Sequence, residues 1–363
     1  MKYRFLYGVI RVGCVRGCLR LFPSQASRAS SSSASSAVKQ WSVAVSPFIR
    51  ITCHLHCNIS VKPLDPHYFP GADRALITVY GNRDFSLDSV HVHYDEQNKV
   101  LRINSEESSS AVSIELTTPI KSDLHVVTQG KGDVKIQNME SDLCQVQTEQ
   151  GHCVLHSVKS HKVQVQSSGG NIIGLGTIHG DVDIRTTGHS SIDIKKIQGT
   201  SMNVSTEHGP LKLKAVYAQS SSLSSSSGNL IIGHLHGEAH VQTDTGGIVI
   251  DSSSGALRAV SKTGNIDVYV GQTETAELQT QQGAVILRVP ATMRAGVHLC
   301  GNTVDISSEI FQETEHHSAK GKTVVVGRLN SGSEVDCCIK ATADRGAVSL
   351  KTQSWLETLK LGS

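Results

Sequence analysis

The chain has 363 residues, of which only 4% are aromatic and 8 are Pro, against 32 Gly. That composition suits stacked coils of small residues better than a globular α/β core, and scarce Pro is what continuous parallel ladders need. Net charge is +2 but unevenly spread: residues 1–64 carry nine Lys or Arg and no acid, so the remaining 25 basic and 32 acidic residues leave the body at −7, which speaks against a nucleic-acid partner.

Residues 1–40 read as a targeting segment. Lys2, Arg4, Arg11, Arg16, Arg20 and Arg28 stand among apolar residues and a Ser-rich run from Ser24 to Ser36, with no acid. This is the composition of a mitochondrial transit peptide, and Arg11 and Arg16 interrupt the apolar run that a secretory signal needs. Mitochondria are the expected location, with the cytoplasm as the alternative. No run of about twenty apolar residues occurs, so no transmembrane segment is expected. The nine Cys, odd in number and irregular in spacing, fit a reducing compartment better than a disulfide framework.

Residues 41–123 are strand-rich but irregular. Ile49–Val61 alternates, Ala75–Tyr80 follows a Pro/Gly break, and a hairpin is expected around Asp95–Asn98 before Ala111–Leu116. This region is expected to form the first irregular coils and to cap the open edge of the regular coils C-terminal to it.

Residues 124–293 carry the dominant pattern, a repeat of about nineteen residues. Its anchors are Gly132, Gly151, Gly170, Gly188, Gly209, Gly228, Gly246, Gly264 and Gly283. Apolar pairs of period two flank each anchor, as in Leu211/Leu213 after Gly209 and Met202/Val204 before it, and mark two short strands per unit. The Gly between them is expected to supply positive φ at a bend. Around Gly188 the pair Ile192/Ile194 comes two residues late, so Ser190 takes the register position. A hydroxyl stands three residues before the anchor in eight units: Thr148, Ser167, Thr187, Thr206, Ser225, Thr243, Ser261 and Thr280. These are expected to form a ladder down one bend, each bonding the backbone of its own turn, a structural role rather than a binding one.

Residues 294–333 lose the register, gather Glu309, Glu313, Glu315, His316 and His317, and read as an excursion or lid. Residues 334–363 return to it once, with Ile339/Ala341, Gly346 and Val348/Leu350 as a last coil that closes the stack. A short capping helix is expected over Ser354–Leu361. The fold class expected is all-β: a single-stranded, right-handed β-solenoid of ~19-residue coils. The handedness comes from the general preference of parallel crossovers.

Units such as Ser261-Lys262-Thr263-Gly264-Asn265-Ile266-Asp267-Val268 resemble the putative-adhesin β-solenoid family, known mainly from bacterial proteins. The resemblance covers roughly residues 75–355, and the whole looks like a vertebrate member with a targeting extension. It implies the fold and brings no catalytic motif, cofactor or ligand set. The adhesin label is an analogy of fold.

No catalytic, cofactor or metal site is expected. Cys53-His54-Leu55-His56-Cys57 offers soft and imidazole ligands, but strand alternation sends the Cys and the His to opposite faces. Neighbouring Cys337 and Cys338 are split in the same way. Asp181, Asp183 and Asp193 with Arg185 are the nearest approach to a polyanion-active groove, yet Asp183 and Asp193 belong to different strands and neighbouring units do not repeat the acids. The informative positions are outward ones on the strand after the bend, where Val154, Ile173, Ile231, Val249 and Ile286 form an apolar stripe interrupted by Lys135, Asp193, Lys212 and Asp267. Such a stripe is covered by the chain's own N-terminal region or lid, or it meets a protein partner on one solenoid sheet. The expected function is therefore a non-enzymatic binding or scaffold protein. The alternative is a β-helix enzyme acting on carbohydrate or another polyanion.

Overall fold

The computed structural model describes residues 37–81, 89–105, 112–272, 274–319, 321–330 and 337–353. The expected capping helix and residues 1–36 of the expected targeting segment lie outside the described residues. Residues 37–40, at the end of that expected segment, begin the strand Ala37–Ala44, which pairs antiparallel with Arg74–Tyr80.

Among the described residues there is no α-helix, and the strands join into one continuous sheet. Alternation dictates this locally. In Cys153–His156 the side chains run buried, half-buried, buried, half-buried, and in Leu230–Thr245 the inward row continues through Leu230, Ile232, Leu235, Ala239 and Val241. Successive coils pair in parallel, Leu211 on Leu230 and Leu230 on Ile248, so like residues stack and one apolar core runs the length of the stack. No single coil could bury that face alone.

The anchor glycines are required by contact more than by φ. A Cβ at Gly170 would lie 1.8 Å from the Gly151 carbonyl oxygen, and one at Gly209 1.8 Å from that of Ser190. Only a residue without Cβ lets consecutive bends approach so closely. Gly246, Gly264 and Gly283 do have φ of 140–154°, but Gly151, Gly170 and Gly209 do not take positive φ, so the expected reason holds at some anchors only. Ser190 occupies the register position, as the late Ile192/Ile194 pair implied. Gly188 instead sits in an insertion at φ 66°.

The hydroxyl ladder is present with one change of member. Thr186 is buried and pairs with Thr206, while Thr187 donates to the Ser168 carbonyl from an exposed position. The insertion adds a residue before the bend and shifts the inward hydroxyl back by one. Ser167 bonds its own turn as expected, at the Gly170 carbonyl, but others reach the preceding coil instead: Thr206 donates to the Ser190 carbonyl at 3.2 Å, Ser261 to Gly246 at 3.2 Å and Thr280 to Gly264 at 2.8 Å, while among the described residues the Thr148 and Ser225 hydroxyls have no partner. Outside the bend, Asn171, Asn229 and Asn265 each accept from the next coil's backbone N–H at 2.9 Å. The irregular backbone at the bend is thus satisfied between coils.

Each central coil also has a third face that two apolar pairs per unit do not announce. Lys196–Gln198 pairs with Ala215–Tyr217, which pairs with His234–His236, and Ile197, Val216 and Leu235 are buried beneath. One apolar residue per unit is too sparse a signal to mark a strand by alternation.

Both ends differ from a simple sequential stack. Arg50–Leu55 and Asn58–Pro63 form a coil with regular parallel partners on both sides, Asp123–Thr128 and Val134–Gln137 on one and Val100–Ser105 and Ser113–Thr118 on the other. Residues 41–123 are therefore less irregular than expected. Their capping strands are Val90–Asp95, antiparallel to Val100–Ser105 in the expected hairpin, and Arg74–Tyr80, antiparallel to Ser113–Thr118.

The C-terminal end mirrors this arrangement. Cys338–Ala343 and Ala347–Thr352 do not close the stack. They lie between the coil of Thr275–Gln282 and Val285–Val289 and the coil of Ala295–Gly301 and Thr303–Ser307. Over its described residues the segment 294–333 accordingly forms an extension of the sheet and not a lid. Its first part is the outermost coil, and Lys322–Leu329 and Phe311–Ala319 extend the sheet antiparallel beyond it. The inward rows of the two coils are alike in character: Ile339, Ala341, Ala343, Val348 and Leu350 on the inner one are all 0% exposed, and on the outer one Ala295, Val297 and Leu299 are buried while Val304 and Ile306 are partly buried. An antiparallel edge carrying Glu313, Glu315, His316 and His317 blunts the end against further pairing.

Candidate functional site

The outward side of the post-bend sheet is built by register. Ser60 pairs with Lys135, Lys135 with Val154, Val154 with Ile173, and Ile173 with Asp193. The row continues through Lys212, Ile231, Val249, Asp267 and Ile286 to Ser349. Partners across a parallel ladder lie about 4.8 Å apart, so these side chains form one straight file.

Ile231 is 40% exposed, and Val154, Ile173, Val249 and Ile286 are half-buried between their neighbours. The described residues of the segment, Ala295–Gly301 through Lys322–Leu329, extend the sheet edge instead of folding back over this file. Lys135, Asp193 and Lys212 are exposed, and among the described residues none of their side chains has a hydrogen-bond or ion-pair partner. Asp267 differs, since its Oδ1 accepts from Arg288 Nε at 2.7 Å.

Arg288 is a polar group that periodicity did not single out. It is 8% exposed, and its guanidinium reaches Asp267, Gln353 Oε1 at 3.1 Å and the Ile250 carbonyl at 3.4 Å. Partial burial pushes the neighbouring Asp251 carboxyl up from its ordinary range, against the opposing pull of Arg288. Burial likewise raises the Tyr269 hydroxyl. The cluster fastens the inserted C-terminal segment, through Gln353, to the coils beside it. In sequence, Arg288 looks like any charge at the end of a strand.

A second feature lies at the corner between the third face and the pre-bend sheet. A groove of about 590 Å³ is lined by Phe48, Lys121, Glu140, Lys159, His161 and Asp181, among others, and Phe48 is 66% exposed at its side. Its charges are engaged with one another. Lys121 Nζ donates to Glu140 at 3.0 Å, Lys159 stands 3.9 Å from the same carboxylate, and His161 Nδ1 lies 2.9 Å from Asp142. The Lys121 hydrogen bond, assisted by the Lys159 charge, holds the Glu140 carboxyl below its ordinary range.

The other clusters do not converge. Cys53 and Cys57 are buried while His54 is exposed, and His56 Nδ1 lies 2.7 Å from the Ser105 carbonyl oxygen. Burial, with Cys57 nearby, pushes the Cys53 thiol up to about 12, and burial takes Cys57 to about 11, so neither is a ready thiolate ligand. Asp183 is paired with Arg185 at 2.9 and 3.0 Å on the pre-bend sheet, while Asp193 stands on the post-bend sheet. Cys337 is buried and Cys338 exposed. Among the described residues no group of three or more His, Cys, Asp and Glu could hold a metal ion.

Several solved structures are similar to the chain at low identity. A putative adhesin from Parabacteroides merdae is 13% identical over 69% of this chain and 95% of its own, with a TM-score of 0.44. A putative lipid binding protein from Parabacteroides distasonis is 10% identical over 86% and 96%, with a TM-score of 0.36. A putative adhesin from Bacteroides fragilis is 14% identical over 87% and 96%, with a TM-score of 0.28. The model of one family, described as Toastrack DUF4097, matches residues 176–336, from the third face of a central coil to the end of the C-terminal excursion.

Proposed function

We propose that the protein is a non-enzymatic binding or scaffold protein, wound as a right-handed solenoid, that works in mitochondria and holds a protein partner on its post-bend sheet. The observation that supports this reading is the file itself: an exposed isoleucine and four half-buried aliphatics, interspersed with charges of which Lys135, Asp193 and Lys212 have no partner of their own. A solvated face gains nothing from such residues, whereas a protein contact uses both the apolar area and the charges. The acids that would serve a polyanion enzyme are engaged with neighbouring cations or lie on separate faces.

A photo-cross-linking residue at Ile173 in the full chain should capture a protein. The pair Ile231→Asp and Val249→Asp in the same chain should remove that product without changing the thermal midpoint. If the pair unfolds the chain, the stripe serves the core and the reading fails. The location is tested by protease protection in isolated mitochondria with sequencing of the mature N-terminus. A protected form that starts between about residues 25 and 37 is expected, since a cut beyond Ala37 would remove part of the paired strand Ala37–Ala44. An intact Met1 in the cytosolic fraction would remove the mitochondrial part.

A further inference from the structure

The file has an order that the composition of its members does not show. From Lys135 to Asp267 it reads basic, apolar, apolar, acidic, then again basic, apolar, apolar, acidic: Lys135, Val154, Ile173, Asp193, Lys212, Ile231, Val249, Asp267. Read backwards, the same file is acidic, apolar, apolar, basic, twice. Each position is therefore the complement of the position it meets when the file is laid against its own reverse.

From this pattern we infer that the partner on the post-bend sheet is a second copy of this chain, related by a two-fold axis that lies in the contact plane, runs parallel to the strands and passes between Asp193 and Lys212. The inference rests on the reading of that sheet as a protein-binding face. The axis reverses the stacking direction and keeps the strand direction, so the two files oppose one another in reverse. Asp193 faces Lys212 of the second copy, Ile173 faces Ile231, Val154 faces Val249 and Lys135 faces Asp267, each pair occurring twice. Ser60 then faces Ile286, which carries the contact over ten coils, or roughly 43 Å at about 4.8 Å per coil. A strip of that length and three outward residues wide approaches the ~800 Å² per partner of a stable interface.

The charges are suited to this use. Asp193 and Lys212 are adjacent in one chain yet make no ion pair there, which leaves both free for the opposite sheet. Asp267 accepts from Arg288 Nε through Oδ1 alone. Two residues further along the strand, His156 would meet Asp251 of the second copy. Across the axis Lys195 would meet Lys214, a like-charge contact between exposed side chains that the central file has to outweigh. An interface of this kind is isologous, as most closed dimers are.

The test is a charge exchange on the full chain, read by sedimentation velocity over about 1–100 µM. The parent protein is expected to be a dimer. Asp193→Lys and Lys212→Asp should each weaken self-association by at least about tenfold, because each places like charges face to face twice. Mixing the two single variants should restore association as a heterodimer, since the basic file of one meets the acidic file of the other. The double variant Asp193→Lys/Lys212→Asp should dimerise again by itself. If a single reversal lowers the melting temperature, Asp193→Asn and Lys212→Gln probe the same contact with no added charge, and a smaller loss is expected.

A parent protein that is monomeric over the whole range, reversals without effect, or a mixture that stays monomeric would overturn the inference. The Ile173 cross-linker separates this from failure of the broader reading. A product of twice the chain's mass supports the second copy. An adduct with another polypeptide from a monomeric chain sinks the second copy and leaves the binding face standing. No adduct removes both.

Discussion

Gly209→Ala is expected to destabilise the fold by about 3 kcal/mol or more, among the largest effects available to a single added methyl group. The added Cβ would lie 1.8 Å from the Ser190 carbonyl oxygen, and 2.5 Å from its carbon, both of which are backbone. No rotamer change can relieve that contact, so two consecutive coils have to separate at the bend. Separation there lengthens the hydrogen bond from Thr206 to Ser190 and opens the inward pair Ile192 and Leu211, both 0% exposed. Chemical denaturation followed by circular dichroism reads the loss directly. Gly188→Ala is the matched control. Gly188 has a left-handed φ of 66°, but its added Cβ would meet nothing nearer than 3.6 Å, so it should lose only about 1 kcal/mol. A loss at Gly209 no larger than that at Gly188 would show that close approach does not select the anchor glycine.

Ending the chain after residue 336 is expected to do more than shorten the stack by one coil. Because Cys338–Ala343 and Ala347–Thr352 lie between two other coils, their removal opens two coil interfaces. It also takes away five fully buried residues, Ile339, Ala341, Ala343, Val348 and Leu350, and uncovers Leu278 and Leu287. At about 1.5–3 kcal/mol for each large aliphatic, the loss exceeds about 5 kcal/mol. The outer coil and its antiparallel strands would then have no parallel neighbour, so residues 294–330 should become the first site of limited proteolysis. A truncated chain that keeps this segment protease-resistant would mean that the outer coil docks directly on Thr275–Gln282. The glycine register makes the difference concrete, since Gly346 stacks on the Gly283 carbonyl, where a Cβ would lie 1.7 Å away.

The amino-acid sequence by itself determined the all-β stack, the parallel pairing of like positions and the outward file. Each of these comes from a period: two along a strand, which sorts Val154 and Ile173 outward from Cys153 and Ile172, and about nineteen along the chain, which sets the bends one above another. The insertion at Gly188 was legible too, because Ile192/Ile194 slipped while Ser190 kept its place. Its consequence for the hydroxyl ladder was not, as the choice between Thr186 and Thr187 depends on which one the bent backbone turns inward.

What only the tertiary structure decided is non-local. Whether a coil lies inside the stack or at its end is a matter of pairing between segments far apart in the chain. The strands of Ile339, Ala341, Val348 and Leu350 have parallel partners on both sides and that of Val304 and Ile306 on one, and Ile51, Cys53, Ile59 and Val61 occupy the matching inner place at the other end. The third face and the Arg288 contacts belong to the same class, being a single apolar residue per unit in one case and a polar side chain reaching across coils in the other. Periodicity orders residues along one strand direction. The order of the coils themselves is a pairing between distant segments, which a period along the chain does not encode.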